Sequence, residues 1–161
     1  MNPNLSIVIP TMGRPILVRT LESVLATKGA DQLEIVVVGE IPDRDVLQKV
    51  TAIVSANSNV RHISISYPDG DSSRKKNRGA QESRSDIVAF LDDDVIIAPD
   101  WPEHILNAFE NPAVGLISGP SLVPDDINLS ARLAGLALTS RAAGYVSERY
   151  RIGNAAVREI G

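Results

Sequence analysis

Ile87-Val88-Ala89-Phe90-Leu91 runs straight into Asp92-Asp93-Asp94, and Val95-Ile96-Ile97 follows. A short, continuous apolar run bounded by polar residues reads as a buried central strand of a parallel sheet. Ligands of an open α/β sheet sit beyond the carboxyl ends of its strands, and here that end carries three successive carboxylates. Crowded like charges repel, so the cluster calls for protons or a compensating cation. A hard divalent ion with oxygen ligands, shared with the phosphates of a substrate, answers that need. A solvated acidic turn is the plain alternative, because unpaired charges are rarely buried.

Outward from this strand the chain alternates. Leu5-Ser6-Ile7-Val8-Ile9 is a strand closed by Pro10. Pro15 suits a first helical turn, and Leu17, Leu21, Val24 and Leu25 follow at helical spacing up to Gly29. The valine-rich Leu33–Val38 is a second strand. Asp43 caps a helix whose Val46, Leu47, Val50, Ile53 and Val54 share one face. Residues 61–66 alternate polar and apolar, as a half-exposed strand near an edge does. A loop through Tyr67-Pro68-Asp69-Gly70-Asp71 leads to a polar helix over 72–83. Past the acidic cluster, Trp101, Ile105, Leu106 and Phe109 mark a short helix, and 114–118 a further strand. This order predicts an α/β, Rossmann-like fold: a mostly parallel sheet with helices on both faces.

The length of 161 residues suits one domain, 1–161, with a proper core. A content of 43% hydrophobic and 22% charged residues is ordinary for a globular protein. The net charge of −4 argues against a nucleic-acid partner, which a basic face would serve. The absence of cysteine excludes disulfides and thiolate zinc sites. Met1-Asn2-Pro3-Asn4 brings no basic region of a signal peptide, and no apolar stretch approaches the roughly 18 residues of a transmembrane segment. A cytoplasmic location is the simplest expectation. Residues 129–149 read as a helix weakened at Gly135 and Gly144. Arg132, Arg141, Arg149 and Arg151 give it a solvated basic side, or a surface for phosphate or anionic lipid at the membrane periphery.

Taken together these motifs resemble the family 2 glycosyltransferases, nucleotide-sugar-dependent enzymes of GT-A fold. Leu5-Ser6-Ile7-Val8-Ile9-Pro10-Thr11 resembles the first strand and its Pro-Thr turn, and Glu34-Ile35-Val36-Val37-Val38 the second strand. Lys75-Lys76-Asn77-Arg78-Gly79 resembles the Arg-Asn-Arg-Gly segment at the head of a helix, and Asp92-Asp93-Asp94 the metal-binding DXD motif. Gly153-Asn154-Ala155-Ala156-Val157-Arg158-Glu159 is similar to the segment after the acceptor-side helix. The resemblance implies metal-dependent, inverting transfer of a sugar from a nucleoside-diphosphate sugar, most commonly a UDP-sugar, to a saccharide or lipid-linked acceptor. It implies Mn2+ or Mg2+ as cofactor, with Asp94 binding the metal directly and Asp92 meeting the ribose or the metal. Pro10, Thr11, Glu40, Lys76 and Asp93 are carried over as nucleotide-side residues. The cation stabilises charge on the leaving diphosphate.

Three departures qualify that pattern. Gly39-Glu40 stands where the family commonly has two aspartates, Met12 replaces a frequent aromatic, and Lys76 replaces an arginine and its bidentate fork. Lys75, Lys76 and Arg78 also read as a solvated helix face. The chain ends at Gly161, where the family continues into a Gly-Gly-Phe segment bearing the acidic catalytic base. The base is therefore expected beyond Gly161 and the domain incomplete at its C-terminal end, with uncovered apolar surface that leads to a homo-dimer or to a marginally stable monomer whose last third is poorly ordered. A nucleotide-sugar-binding or interaction domain without turnover is the alternative. A haloacid-dehalogenase-like phosphotransferase, with the first aspartate as nucleophile, fits less well, because several strands and helices precede Asp92.

Overall fold

Leu5–Pro10 is buried at every position and forms β1, and Leu33–Val38, equally buried, forms β2. Continuous burial is what two central strands covered on both faces require. They pair in parallel, Leu5 opposite Leu33 and Pro10 opposite Val38. The computed structural model describes residues 3–67, 71–119, 129–130, 132–133 and 155–158. Within them β3 (Val60–Ile63) pairs in parallel with β2, and β4 (Ile87–Phe90) in parallel with the other side of β1. Two more strands, β5 (Leu116–Ser118) and β6 (Ala155–Arg158), complete the order β3-β2-β1-β4-β6-β5. β6 runs antiparallel to both of its neighbours, β4 and β5, so it is the strand that opposes the others. The expected mostly parallel α/β sheet is present, with one reversed strand that the sequence did not announce.

Alternate side chains of the central strands face two cores. Ile7, Ile9, Ile35 and Val37 belong to the larger core. Helix α1 (Ile16–Leu25) covers it with Leu17, Leu21 and Val24, α2 (Arg44–Ala56) with Val46 and Val50, and α4 (Trp101–Ala108) with Ile105. Fully burying one such side chain is worth roughly 1.5–3 kcal/mol. Val8, Val36 and Val38 form the smaller core on the opposite face, beside Val88 and Phe90. Helix α3 (Ser72–Glu82) lies over that face and approaches it through Gly79, where an added Cβ would stand 2.2 Å from Val8 Cγ1. Asp43 caps α2 by accepting from Asp45 N and Val46 N, and Asp71 caps α3 by accepting from Ser73 N and Arg74 N.

Several expected boundaries shift. The strand expected over 61–66 is Val60–Ile63 and sits at the sheet edge. It stops where β2, its partner among the described residues, stops, Ile63 being opposite Val38, the last residue of β2. The strand expected over 114–118 begins at Leu116. Val114 instead closes the preceding turn, its N donating to the Asn111 carbonyl at 3.1 Å, and its own carbonyl accepts a bond from Arg158. The guanidinium of Arg158 also donates to the carbonyls of Phe109 and Asn111, at 2.7 and 3.1 Å, tying β6 to the end of α4. Of the helix expected over 129–149, residues 129, 130, 132 and 133 are helical and the rest lies outside the described residues, as do Arg141, Arg149, Arg151, Pro68-Asp69-Gly70 and Gly153-Asn154.

Candidate functional site

The carboxyl ends of β1 and β4 lie side by side and open onto a cavity of about 310 Å3. Pro10 and Thr11 line it at and just past the end of β1, Asp92, Asp93 and Asp94 just past the end of β4, and Ser72 and Lys75 from the first turn of α3. Met12 and Arg14, from the turn between β1 and α1, complete the wall. Three successive carboxylates do not face the same way here. The two-residue alternation of β4 continues past its end: Ala89, Leu91 and Asp93 are buried, whereas Asp92 and Asp94 are exposed. The side chains of Asp92, Asp93 and Asp94 are 55%, 7% and 48% exposed.

Asp93 is the anchor of the site. Its Oδ2 accepts a 2.6 Å bond from the Thr11 hydroxyl, and its Oδ1 pairs with Arg14 Nη2. Its backbone carbonyl accepts from the Thr20 hydroxyl of α1 at 2.9 Å. A buried charge needs such partners. The Thr11 oxygen in turn accepts from Gly13 N at 2.9 Å, which folds the turn after β1. Arg14 Nη2 reaches Asp94 Oδ2 as well, at 3.0 Å. The Asp93 hydrogen bond, the Asp93 charge and then the Asp94 hydrogen bond raise the Arg14 pKa above its ordinary value.

Two adjacent lysines of α3 serve opposite purposes. Lys75 is buried and donates from Nζ to the Thr11 carbonyl at 2.8 Å. Lys76 points outward and pairs with Asp92 Oδ1 at 3.1 Å. The sequence placed Lys76 at the site and left Lys75 on a solvated face. The face was nonetheless readable, since Lys75 and Gly79 stand one turn apart and share the buried side of α3. Arg14 was also missed, and nothing in its local pattern singles it out.

Gly39 and Glu40 resolve one departure. Gly39 has a φ of +143°, and an added Cβ would stand 2.1 Å from the Thr11 carbonyl oxygen. No side chain fits there, so an aspartate at 39 is incompatible with this backbone. Glu40 does not join the aspartates. It is exposed and lines a neighbouring cavity of about 510 Å3 together with Ile41, Pro42, Leu47, His62 and Ser64. Of the seven residues expected at the site, Pro10, Thr11, Asp92, Asp93 and Asp94 line one cavity, Lys76 reaches it through Asp92, and Glu40 stands apart.

The donor set is compatible with a hard cation. Asp92 and Asp94 present oxygen ligands at the open end of β4. Among the described residues no group of three His, Asp or Glu side chains is placed to hold a metal unaided. Two carboxylates suit a cation whose remaining ligands are water and substrate phosphate oxygens.

A family described as Glycosyl transferase family 2 matches residues 6–155 of the chain. The chain is 32% identical over 127 residues to the uncharacterized protein y4gI of Sinorhizobium fredii, covering 76% of this chain and 14% of that protein. It is 33% identical over 112 residues to a glucosyl-dolichyl phosphate glucuronosyltransferase of Haloferax volcanii, covering 66% of this chain and 33% of that protein. A mannosyltransferase from Pyrobaculum calidifontis, solved in complex with GDP-Man and Mn2+, shares the fold with a TM-score of 0.69 at 16% identity, over 98% of this chain and 45% of that one. S. aureus TarS 1-349 in complex with UDP-GlcNAc does so with a TM-score of 0.67 at 16% identity, over 80% of this chain and 37% of that one. The chain thus spans a third or less of these curated relatives and less than half of these solved structures. Its sheet has the mostly parallel GT-A architecture of these structural neighbours. With this fold, and with a match running from the first strand to the start of the last, the chain belongs to glycosyl transferase family 2.

Proposed function

We propose that this chain forms the donor-binding part of a glycosyltransferase that takes a hexose-type sugar from a nucleoside-diphosphate sugar with the help of Mn2+ or Mg2+. One observation carries the reading: Asp92 and Asp94 are half-exposed at the carboxyl end of β4, on a cavity that Asp93 braces from within. Asp94, with Asp92 beside it, holds the cation. When bound, the cation acts as a Lewis acid on the diphosphate oxygens that gain charge as the sugar leaves.

The chain's own residues do the rest. Pro10 and Thr11 form the floor under the nucleotide. The Thr11 hydroxyl donates to Asp93 and accepts from Gly13 N, so Thr11 contributes shape more than a free donor. Lys76, held at the rim by Asp92, adds positive charge on the leaving-group side. Glu40 is assigned to the edge of the nucleotide site, in its separate cavity. Inverting transfer to a saccharide or lipid-linked acceptor belongs to the same reading. The Haloferax relative, named for a glucosyl-dolichyl phosphate, supports the lipid-linked case. Among the described residues we assign none as the base that would deprotonate the acceptor.

Calorimetric titration with UDP and GDP, with and without Mn2+, tests the reading. Both nucleotides are included because the structural neighbours carry UDP-GlcNAc and GDP-Man. The expected result is diphosphate binding that tightens with Mn2+, and loss of that gain in Asp94→Ala. Retention of the full metal effect in Asp94→Ala would overturn the assignment of Asp94. Absence of any nucleotide binding would overturn the reading itself.

A further inference from the structure

Among the described residues two cations, Arg14 and Lys75, line the cavity, and they are held differently. Lys75 is buried on the Thr11 carbonyl. Arg14 is half-exposed and bridges two carboxylates through one nitrogen, Nη2. Its two attachments are unequal. Asp93 is buried and braced by Thr11, so that end is fixed. Asp94 is open to solvent, so that end is exchangeable. The exchangeable partner is the carboxylate assigned to the divalent ion.

We propose that Arg14 is a resident counter-cation, released from Asp94 when the divalent cation binds and taken up by the diphosphate that arrives with it. The inference rests on the donor-site reading above. Its physical basis is competition. A guanidinium and a divalent ion on one carboxylate repel each other at short range, so the metal alone must work against Arg14. Released from Asp94 but still paired with Asp93, Arg14 stays at the cavity wall with the N–H capacity that Asp94 had taken up open to a new acceptor. A diphosphate supplies anionic oxygens that match a guanidinium fork. Metal and diphosphate therefore favour one another through Arg14 as well as through direct contact. That coupling is reciprocal by thermodynamic necessity.

This arrangement makes a prediction that simple phosphate binding by Arg14 does not. Removing the arginine strengthens the binding of metal alone while weakening its coupling to nucleotide. Mn2+ titration followed by the electron paramagnetic resonance of the free ion reads both quantities, in the absence and presence of UDP or GDP. In Arg14→Gln the affinity for Mn2+ alone rises roughly 10-fold, the scale of one short-range, half-exposed charge pair, and the gain produced by diphosphate falls by a similar factor. Arg14→Lys keeps the charge and so keeps the low affinity for metal alone. Should Arg14→Gln unfold because Asp93 loses its partner, Arg14→Gln combined with Asp93→Asn, measured against Asp93→Asn alone, isolates the arginine without an unpaired buried charge. Unchanged or weaker binding of Mn2+ alone in the glutamine variants, with the diphosphate effect intact in the unmodified chain, overturns the role of Arg14 and leaves the donor-site reading standing. No diphosphate effect on Mn2+ in any variant, the unmodified chain included, removes that reading and this inference together.

Discussion

Thr11 and Asp93 lie 82 residues apart in sequence and are joined by a 2.6 Å hydrogen bond, buried where β1 and β4 end side by side. The bond fixes the turn after β1 against the acidic cluster, so the two strands present one surface. Asp93→Ala removes the buried acceptor and leaves both the Thr11 hydroxyl and Arg14 short of a partner. The expected loss of stability is about 2–4 kcal/mol, read as a lower urea midpoint. Asp94→Ala, at a half-exposed position, is expected to stay within about 1 kcal/mol of the parent. Equal stabilities for the two variants would contradict the division of labour within the cluster.

Gly79 controls how closely α3 approaches the sheet. An alanine Cβ there would stand 2.2 Å from Val8 Cγ1, within the smaller core. Gly79→Ala gains helix propensity, worth about 1 kcal/mol, against an overpacking cost of typically 1–3 kcal/mol. With the contact this short, the overpacking dominates. Since α3 carries Lys75 and Lys76, a displaced helix also loosens the contact to the Thr11 carbonyl and the pair with Asp92. A lower urea midpoint together with weaker UDP binding is the expected pair of results. A stabilised variant would mean that α3 does not pack as closely as this.

Much of this layout follows from periodicity alone. The run ending in Asp92-Asp93-Asp94 marks a strand and the ligand end of a sheet. The same two-residue period, carried on from Ala89 through Leu91, points Asp93 inward and its neighbours outward. What stayed hidden depends on contacts between distant segments. Ala155-Ala156-Val157-Arg158 carries little strand signal, because alanine has low strand propensity. It becomes β6 through pairing with β4 on one side and β5 on the other. Arg14 looks like any turn arginine until β1 and β4 are adjacent. Glu40 follows β2 as the family pattern leads one to expect, yet the close approach of Gly39 to Thr11 sends the chain, and Glu40 with it, toward a different cavity.

At the amino-terminal side of the sheet, Glu34 is buried and supplies a pH dependence unrelated to the donor site. Burial alone pushes its carboxyl up. Hydrogen bonds from the Ser6 hydroxyl, from Arg84 N and from Arg61 outweigh it, so the Glu34 pKa lies below its ordinary value. A carboxyl depressed in the folded state stabilises the fold above its unfolded pKa, about 4.3. That contribution is lost as pH falls through the lower, folded value. Glu34→Gln should therefore be less stable than the parent at neutral pH, with the difference shrinking below about pH 4. Chemical denaturation at a series of pH values measures this, and a constant difference from pH 7 to pH 3 would show that Glu34 is not the group responsible.

Gly39 offers the most direct test of how the site departs from the family pattern. Gly39→Asp restores the acidic residue that the resemblance leads one to expect after the second strand. If that carboxylate were simply missing, restoring it would help nucleotide binding. The backbone argues otherwise. At a φ of +143° a side chain is strained, and its Cβ would stand 2.1 Å from the Thr11 carbonyl oxygen. That carbonyl is the acceptor for Lys75, and the Thr11 hydroxyl holds Asp93. Relief of the clash has to move Thr11, and with it the turn that orders the acidic cluster. Backbone strain of about 1–3 kcal/mol adds to a comparable packing cost, so Gly39→Asp should lower the urea midpoint and weaken binding of UDP and GDP alike. Glu40→Ala, on an exposed side chain in the neighbouring cavity, should leave stability within about 0.5 kcal/mol of the parent. Tighter diphosphate binding by Gly39→Asp without loss of stability would show that β2 can part from Thr11, and that the site tolerates the family's acidic residue after all.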